Sequence, residues 1–549
     1  MQPTFNLNCY EFFRRNTAQY GEYNAVEHFG RKTPASEFVR DVDGLAAYFQ
    51  QELKLKRGDV YTVFLPTCVE SFAAFYALNK IGVIVNFVHP LTPPHVLREM
   101  MEKTGSKGIM VMDLLSRKYA DVIAARGVPC VVCSFGDYAA AGLKQAVNGF
   151  STLASLPLRK VKPRIRYEKA CRKYPAAEGV HENGSDVAVY LCGGGTTGKS
   201  KTIKLSNRAI NEMVYKFSFV DDIREPGVEA TIAVLPMFHA FGLCVAMHLP
   251  MCFAARVIPM ANFKAKNFNR IMSKNKIILI VGIPVMYRKL KKEKNFEGAH
   301  LRHLRLMFCG GDDVSESVLD DFNECLGKWG AEGKLYRGYG LTEVASACAM
   351  NTDNYFRENS MGKPMHEVRM EIWDENKKRL PFGEVGEIVI SGSTVMEGYF
   401  TKDGAADDGI YTDEDGVRWV LSGDLGYEDE DGFFYFSGRK KRLIIISGYN
   451  VYPFDVEKKV EELPYIREVC AVQSYTPDSK PIVKLCISLS EGDNDHEKCK
   501  QEILALCEAD LPGFSVPREI VIMGALPRTP MQKIDFVKLT DAPPHTVGK

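Results

Sequence analysis

The chain has 549 residues, more than one hydrophobic core usually holds, so two or more domains are expected. Hydrophobic residues at 46% and charged residues at 25% fit an ordinary globular enzyme. Lysine plus arginine number 70 against 69 acids, a balance that argues against a nucleic-acid-binding protein.

Met1–Asn8 carries no basic start followed by an apolar run, so it does not read as a signal peptide and a cytoplasmic location is expected. Val60–Leu65 predicts a strand, Val69–Lys80 a helix with apolar residues at helical spacing, and Val83–Val88 the next strand. Strand–helix–strand repetition implies a layered α/β sheet. Cys130 and Cys133 have C-x-x-C spacing, but no second pair follows, so they read as small residues in an apolar run. The 15 cysteines are expected to be reduced thiols. From Asn148 to Asp186 the periodicity fades, and eight basic residues fall between Arg159 and Lys173; this segment predicts a surface connector.

Val187–Cys192 predicts a strand that runs into Gly193-Gly194-Gly195-Thr196-Thr197-Gly198-Lys199-Ser200-Lys201. Glycines let several backbone N–H groups converge on one point, and such a concavity suits phosphate. Gly193, Gly198, Lys199 and Ser200 satisfy the G-x-x-x-x-G-K-[ST] pattern of nucleotide triphosphatases, which needs a helix from about Lys199. Lys201–Leu205 instead alternates polar and apolar, as a strand does, and Ser206 or Asn207 looks like the cap of a later helix. A loop between two strands is not the triphosphatase arrangement.

Leu243–Ile258, the most apolar long stretch, is interrupted by His248, Pro250 and Arg256 and is too short to span a membrane. After Asn351 the pattern changes to short strand-like runs, Val368–Trp373, Gly386–Ser391 and Phe433–Phe436, which predict a small β subdomain. The basic cluster Arg439–Arg442 and about a hundred residues of mixed pattern follow, enough for a small C-terminal domain.

The glycine loop resembles the phosphate loop of the adenylate-forming superfamily of acyl- and aryl-CoA ligases, carrier-loading adenylation domains and luciferases. The remaining motifs of that superfamily follow in order. Leu235–Gly242 resembles its aromatic-histidine motif, Gly338–Glu343 its adenine and magnesium motif, and Gly383–Glu387 the opening of its β subdomain. Ser422–Tyr427 resembles the ribose motif, Gly438–Lys441 the interdomain hinge, Gly448–Pro453 the thiolation hairpin and Leu526–Ile534 the C-terminal lysine motif. The resemblance covers nearly the whole chain and is closest to the AMP-forming acyl- or aryl-CoA ligases.

It implies an α/β fold: a large N-terminal domain of layered sheets (1–440, with α/β subdomains over 1–350 and a β-barrel-like subdomain over 351–438), then a small mobile α+β domain (441–549) hinged at Lys441. It also implies that ATP, magnesium and coenzyme A serve the reaction. Gly194, Gly195, Thr196, Thr197, Gly198, Lys201 and Thr342 would hold the phosphates; Gly311, Asp312, Arg337, Gly338, Tyr339 and Gly340 the adenylate; Asp424 the ribose diol, with Arg439 also binding the nucleotide. Glu343 and Thr196 would bind magnesium. Lys533, His239, Thr196 and Glu343 would serve catalysis, with Lys533 bridging two anions. Ser447, Gly448 and Tyr449 would receive coenzyme A after the small domain rotates.

His239, Phe241, Val245, Gly340 and Val344 would line the acyl pocket. Amino-acid-activating relatives carry an aspartate where His239 follows Phe238, so an α-amino acid is disfavoured. Acetyl-CoA synthetases close the pocket with tryptophan where this chain has Gly340, which implies room for a medium- or long-chain or aromatic acid. Departures from the family pattern are Ser200 and Thr202 around the loop lysine, Asp312-Asp313, Arg337, and Gln532 before Lys533. The expected acceptor is coenzyme A, with a carrier-protein phosphopantetheine as the alternative; a non-catalytic nucleotide-binding protein is the reading of another class. The sequence leaves the oligomeric state open.

Overall fold

The computed structural model describes residues 5–193, 201–220, 224–311, 314–401, 409–446, 449–490, 492, 495–528 and 534–541, with backbone alone at 146 and 148–153. The described residues fall into two compact units. One draws on Met1–Gly193, Ser200–Met370 and Ile390–Val420, and the other on Glu371–Val389 and Leu421–Lys549.

The first unit holds two large sheets. One has seven strands in the order Arg164–Arg166, Cys130–Cys133, Ile109–Met112, Val60–Phe64, Ile84–Phe87, Val187–Cys192, Thr202–Ser206. All its pairings are parallel except the last. Its five inner strands are near-continuous apolar runs, as in a sheet covered by helices on both faces, while the two edge strands carry polar residues. The helix Val69–Lys80 is buried on every side, its polar residues Glu70, Ser71, Asn79 and Lys80 included.

The other sheet has nine strands, in the order Lys363–Pro364, Ser346–Met350, Leu335–Leu341, Leu306–Cys309, Lys276–Gly282, Glu229–Ala233, Arg256–Pro259, Asn24–His28, Arg31–Pro34. Six consecutive strands, from Leu335–Leu341 to Asn24–His28, run parallel. In a parallel sheet ligands bind beyond the carboxyl ends of the strands. Three of the predicted site segments leave the sheet there: Pro236–His239 after Glu229–Ala233, Gly310-Gly311 after Leu306–Cys309, and Thr342-Glu343 after Leu335–Leu341.

The segment Asn148–Asp186 is no mere connector. Arg164–Arg166 forms the edge strand of the seven-stranded sheet, and Tyr167–Lys173 is a helix whose Tyr167, Ala170 and Cys171 are buried. Gly44 makes its close approach possible: a Cβ there would lie 1.7 Å from the Cys171 carbonyl oxygen. Some of the basic side chains pair with acids: Arg166 with Asp113 (3.6 Å), Lys173 with Glu52 (2.8 Å) and Lys160 with Asp121. A three-residue strand and a seven-residue helix are too short to show a period.

The second unit ends in a mixed α/β fold. Strands Ile466–Tyr475, Pro481–Leu489 and Glu519–Ile522 form one sheet, with helices Pro453–Val460 and His496–Asp510 supplying Val456, Val460, Ile503 and Cys507 to its core. Among the described residues, no helix is long and apolar enough to cross a membrane.

Candidate functional site

The glycine loop joins two antiparallel strands. Val187–Cys192 pairs with Thr202–Ser206 in hairpin register, and Gly193 N–H donates to the Lys201 carbonyl at 2.8 Å. The next helix begins at Asn207, with Ser206 as its N-cap accepting from Ala209 N–H. Thr202–Ser206 is strand where the triphosphatase arrangement would need helix, so the described residues do not form that arrangement. Gly194, Gly195, Thr196, Thr197, Gly198, Asp312, Ser447, Gly448 and Lys533 lie outside the described residues.

At the carboxyl edge of the nine-stranded sheet, Gly311 has φ +79°, a left-handed conformation that glycine adopts without strain. Tyr339 is half-buried, and Thr342 and Glu343 form a single 3₁₀ turn behind it. The Glu343 carboxylate is oriented from outside this motif: Tyr399 Oη donates to its Oε1 at 3.0 Å. Magnesium prefers hard oxygen ligands, and a half-buried carboxylate fits that preference. When bound, the ion would neutralise charge on the ATP phosphates, with Glu343 among the residues holding it.

Gly340 answers differently from its sequence expectation. A Cβ on it would lie 1.7 Å from the Ser346 carbonyl oxygen and 2.7 Å from the Ala347 Cα. Glycine is required because two strands pack there, so the missing side chain does not leave open space for an acid. Arg337 is also redirected. Its guanidinium binds the Glu316 carboxylate at 2.9 Å and the Val314 carbonyl, and its side chain is 11% exposed. This ties it to the start of the helix Glu316–Lys328.

The aromatic-histidine segment turns tightly. His239 N–H donates to the Pro236 carbonyl, and a Cβ on Gly242 would lie 2.1 Å from that same oxygen. Phe241–His248 then forms a π-helical stretch, a wide and rare turn that recurs at functional sites. His248 anchors it. Fully buried, it bonds Tyr76 Oη through Nδ1 (2.9 Å) and Asn211 Oδ1 through Nε2 (3.1 Å), and burial pushes its pKa down to about 3. Val245 and Val344 are fully buried; Phe241 and His239 are half-buried, with the Phe241 ring beside Gly310. The Phe238 ring lies 4.9 Å from that of His239 and 4.4 Å from that of His89.

In the second unit, Asp424 sits 1% exposed opposite Arg439 on paired antiparallel strands, with Arg439 Nε 2.7 Å from Oδ1. Gly423, at φ +70°, donates its N–H to Glu387 Oε1 (3.0 Å), while Lys440 Nζ bonds Glu387 Oε2 (2.7 Å). Glu387 thus ties the turn before Asp424 to the basic cluster. Lys441 is exposed within the 3₁₀ turn Lys440–Arg442. Tyr449 is exposed on the hairpin Ile444–Ile446/Tyr449–Val451 and stacks on Phe514, with centroids 4.7 Å apart and ring planes within 7°.

Residues 13–400 match the AMP-binding enzyme family, and residues 455–533 match the AMP-binding enzyme C-terminal domain. This chain belongs to the AMP-binding enzyme family. The enzyme is 26% identical to a long-chain-fatty-acid–CoA ligase of Escherichia coli O6:H1 over 98% of its own length and 95% of that protein. Its fold is similar to that of ATP-bound MatB from Rhodopseudomonas palustris (TM-score 0.80, 22% identity, 97% and 98% of the two chains). It is also similar to the o-succinylbenzoate coenzyme A synthetase MenE from Bacillus subtilis in complex with ATP and magnesium (TM-score 0.74, 19% identity, 96% and 98%).

Two residues of this AMP-binding enzyme escaped the sequence reading. Glu387 lies inside a quoted motif but received no role there. Tyr399 follows a lone glycine in an irregular stretch; only long-range pairing brings it to Glu343. Lys201, expected at the phosphates, places Nζ 4.2 Å from the Tyr399 ring centroid.

Proposed function

We propose that this enzyme is an AMP-forming acid–thiol ligase. A carboxylate attacks the α-phosphate of magnesium-bound ATP, giving acyl-adenylate and pyrophosphate; the thiol of coenzyme A then displaces AMP to form a thioester. The observation that carries this reading is that one chain holds both the AMP-binding part and its C-terminal domain. The reaction joins two anions, so it needs fixed cations and oriented dipoles. Glu343 for magnesium, Lys201 and Lys533 for the anions and Asp424 for the ribose diol meet that need.

The acid is medium- or long-chain or aromatic, and neither acetate nor an α-amino acid. Supporting this are His239 in place of an amine-binding aspartate, the apolar residues Phe241, Val245 and Val344, and the name of the Escherichia coli relative. The mobile domain spans 441–549 and turns about Lys441, bringing Ser447, Gly448 and Tyr449 into use for the thioester step.

An ATP–pyrophosphate exchange screen over a panel of acids, with and without coenzyme A, tests the proposal. Acid-dependent exchange, with AMP as the nucleotide product once coenzyme A is added, is expected. ADP as the product would overturn it. Thioester formed on a carrier-protein phosphopantetheine but not on coenzyme A would replace the acceptor.

A further inference from the structure

Tyr399 lies outside every nucleotide motif of the chain, yet it touches two of them. Its hydroxyl donates to Glu343 Oε1 at 3.0 Å, and its ring lies under Lys201 Nζ at 4.2 Å from the centroid. The backbone leaves it little choice of position. Glu397 N–H donates to the Lys204 carbonyl (2.8 Å), Lys204 N–H to Gly398 (3.0 Å) and Phe400 N–H to Thr202 (2.7 Å), which sews this segment along the strand after the phosphate loop. Met396 N–H donates to the Glu343 carbonyl at 2.8 Å, which fixes the other side. Gly409 closes over the ring: a Cβ there would lie 2.4 Å from Tyr399 Cε2.

The two contacts reinforce each other. A phenol that donates its proton toward a carboxylate gains electron density in its ring, and a richer ring holds a cation more strongly. We propose that Tyr399 is a positioning residue that sets the Glu343 carboxylate for magnesium and couples it to the phosphate-loop lysine Lys201. The proposal rests on the adenylating reading of this site. One carboxylate oxygen is committed to Tyr399, and a carboxylate has several further lone-pair sites for a cation. With the hydroxyl gone, Glu343 can rotate, and magnesium has to order it at the moment of binding.

The test is ATP binding by calorimetry, without acid or coenzyme A, over a magnesium titration of wild type, Tyr399→Phe and Tyr399→Leu. Tyr399→Phe keeps the ring and removes the hydroxyl. It should need about tenfold more magnesium for half-maximal ATP affinity, the scale of one hydrogen bond to a charged group, and reach wild-type affinity at saturating magnesium. Tyr399→Leu should in addition bind ATP about threefold more weakly at saturating magnesium, because Lys201 loses its platform. Ligand-free melts check that each variant is folded, and Tyr399→Phe decides the matter if the leucine variant is not. A wild-type magnesium curve in Tyr399→Phe overturns the inference. So does a loss of affinity that excess magnesium does not restore, since that would make the hydroxyl a structural support. If wild type itself does not bind ATP at any magnesium level, the adenylating reading fails and the inference with it.

Discussion

Arg439 Nε lies 2.7 Å from Asp424 Oδ1 across two antiparallel strands, and the aspartate is 1% exposed. A buried carboxylate is stable when paired and hydrogen-bonded, so the arginine offsets the burial of Asp424 and fixes the orientation of a carboxylate that the proposed function sets on the ribose diol. Asp424→Asn keeps the shape but loses the charge and leaves Arg439 without its partner. ATP affinity should fall about tenfold or more, the scale of a hydrogen bond to a charged group. Isothermal calorimetry checks it; unchanged affinity in a folded variant would remove Asp424 from the nucleotide site.

Gly340→Trp should damage the protein rather than retune it. The first carbon of any side chain meets the Ser346 and Ala347 backbone, and a backbone cannot rotate away as a side chain can. Overpacking of this kind costs ~1–3 kcal/mol or more. Thermal melts should show a marked loss of stability, with no shift of chain-length preference. A stable variant that prefers short acids would restore Gly340 to the acyl pocket.

The two half-reactions should separate genetically. Lys533→Ala should slow adenylate formation by a factor of about 10²–10³, the usual effect of deleting one stabilising donor. It should still convert pre-formed acyl-adenylate to thioester. Lys441→Pro fixes φ near −65° at an exposed turn residue; adenylate should form while thioester does not. Measuring both steps in both variants checks this, and equal losses at each step would exclude domain alternation.

Glu70 predicts a stability that depends on pH. It is fully buried in the helix Val69–Lys80, and burial pushes its carboxyl up to about 7, opposed by its own backbone N–H and the Cys68 thiol and assisted by the Asp113 charge. Between its ordinary value of 4.5 and about 7 the folded chain keeps a proton that the unfolded chain has lost. Stability from this group is therefore full below 4.5 and falls as pH rises through 7, with a slope approaching 1.4 kcal/mol per pH unit, an order-of-magnitude figure. Glu70→Gln should remove that dependence. Melts of both proteins at pH 5 and pH 8 should show the variant gaining on wild type at the higher pH; parallel curves would mean that Glu70 is ionised in the folded state throughout.

Local signals were sufficient for several elements. Val69–Lys80 carries its helix in its own composition, and the helix spans those same residues. Alternation in Lys201–Leu205 with a serine cap behind it distinguished a hairpin from a strand–helix loop, and the pairing of Val187–Cys192 with Thr202–Ser206 agrees. Such features depend on neighbours a few residues away, which any sequence displays.

What the sequence by itself determined was the family and the order of its motifs, because those are runs of adjacent residues with fixed chemistry. The tertiary structure decided what each side chain meets. A glycine at 340 reads the same whether it borders a cavity or a strand; the Ser346 carbonyl 1.7 Å from its missing Cβ settles which. Arg337 reads as a cation, and only packing hands it to Glu316, 21 residues away. Tyr399 and Glu343 stand 56 residues apart, and no local pattern encodes a contact that exists because distant strands were brought together.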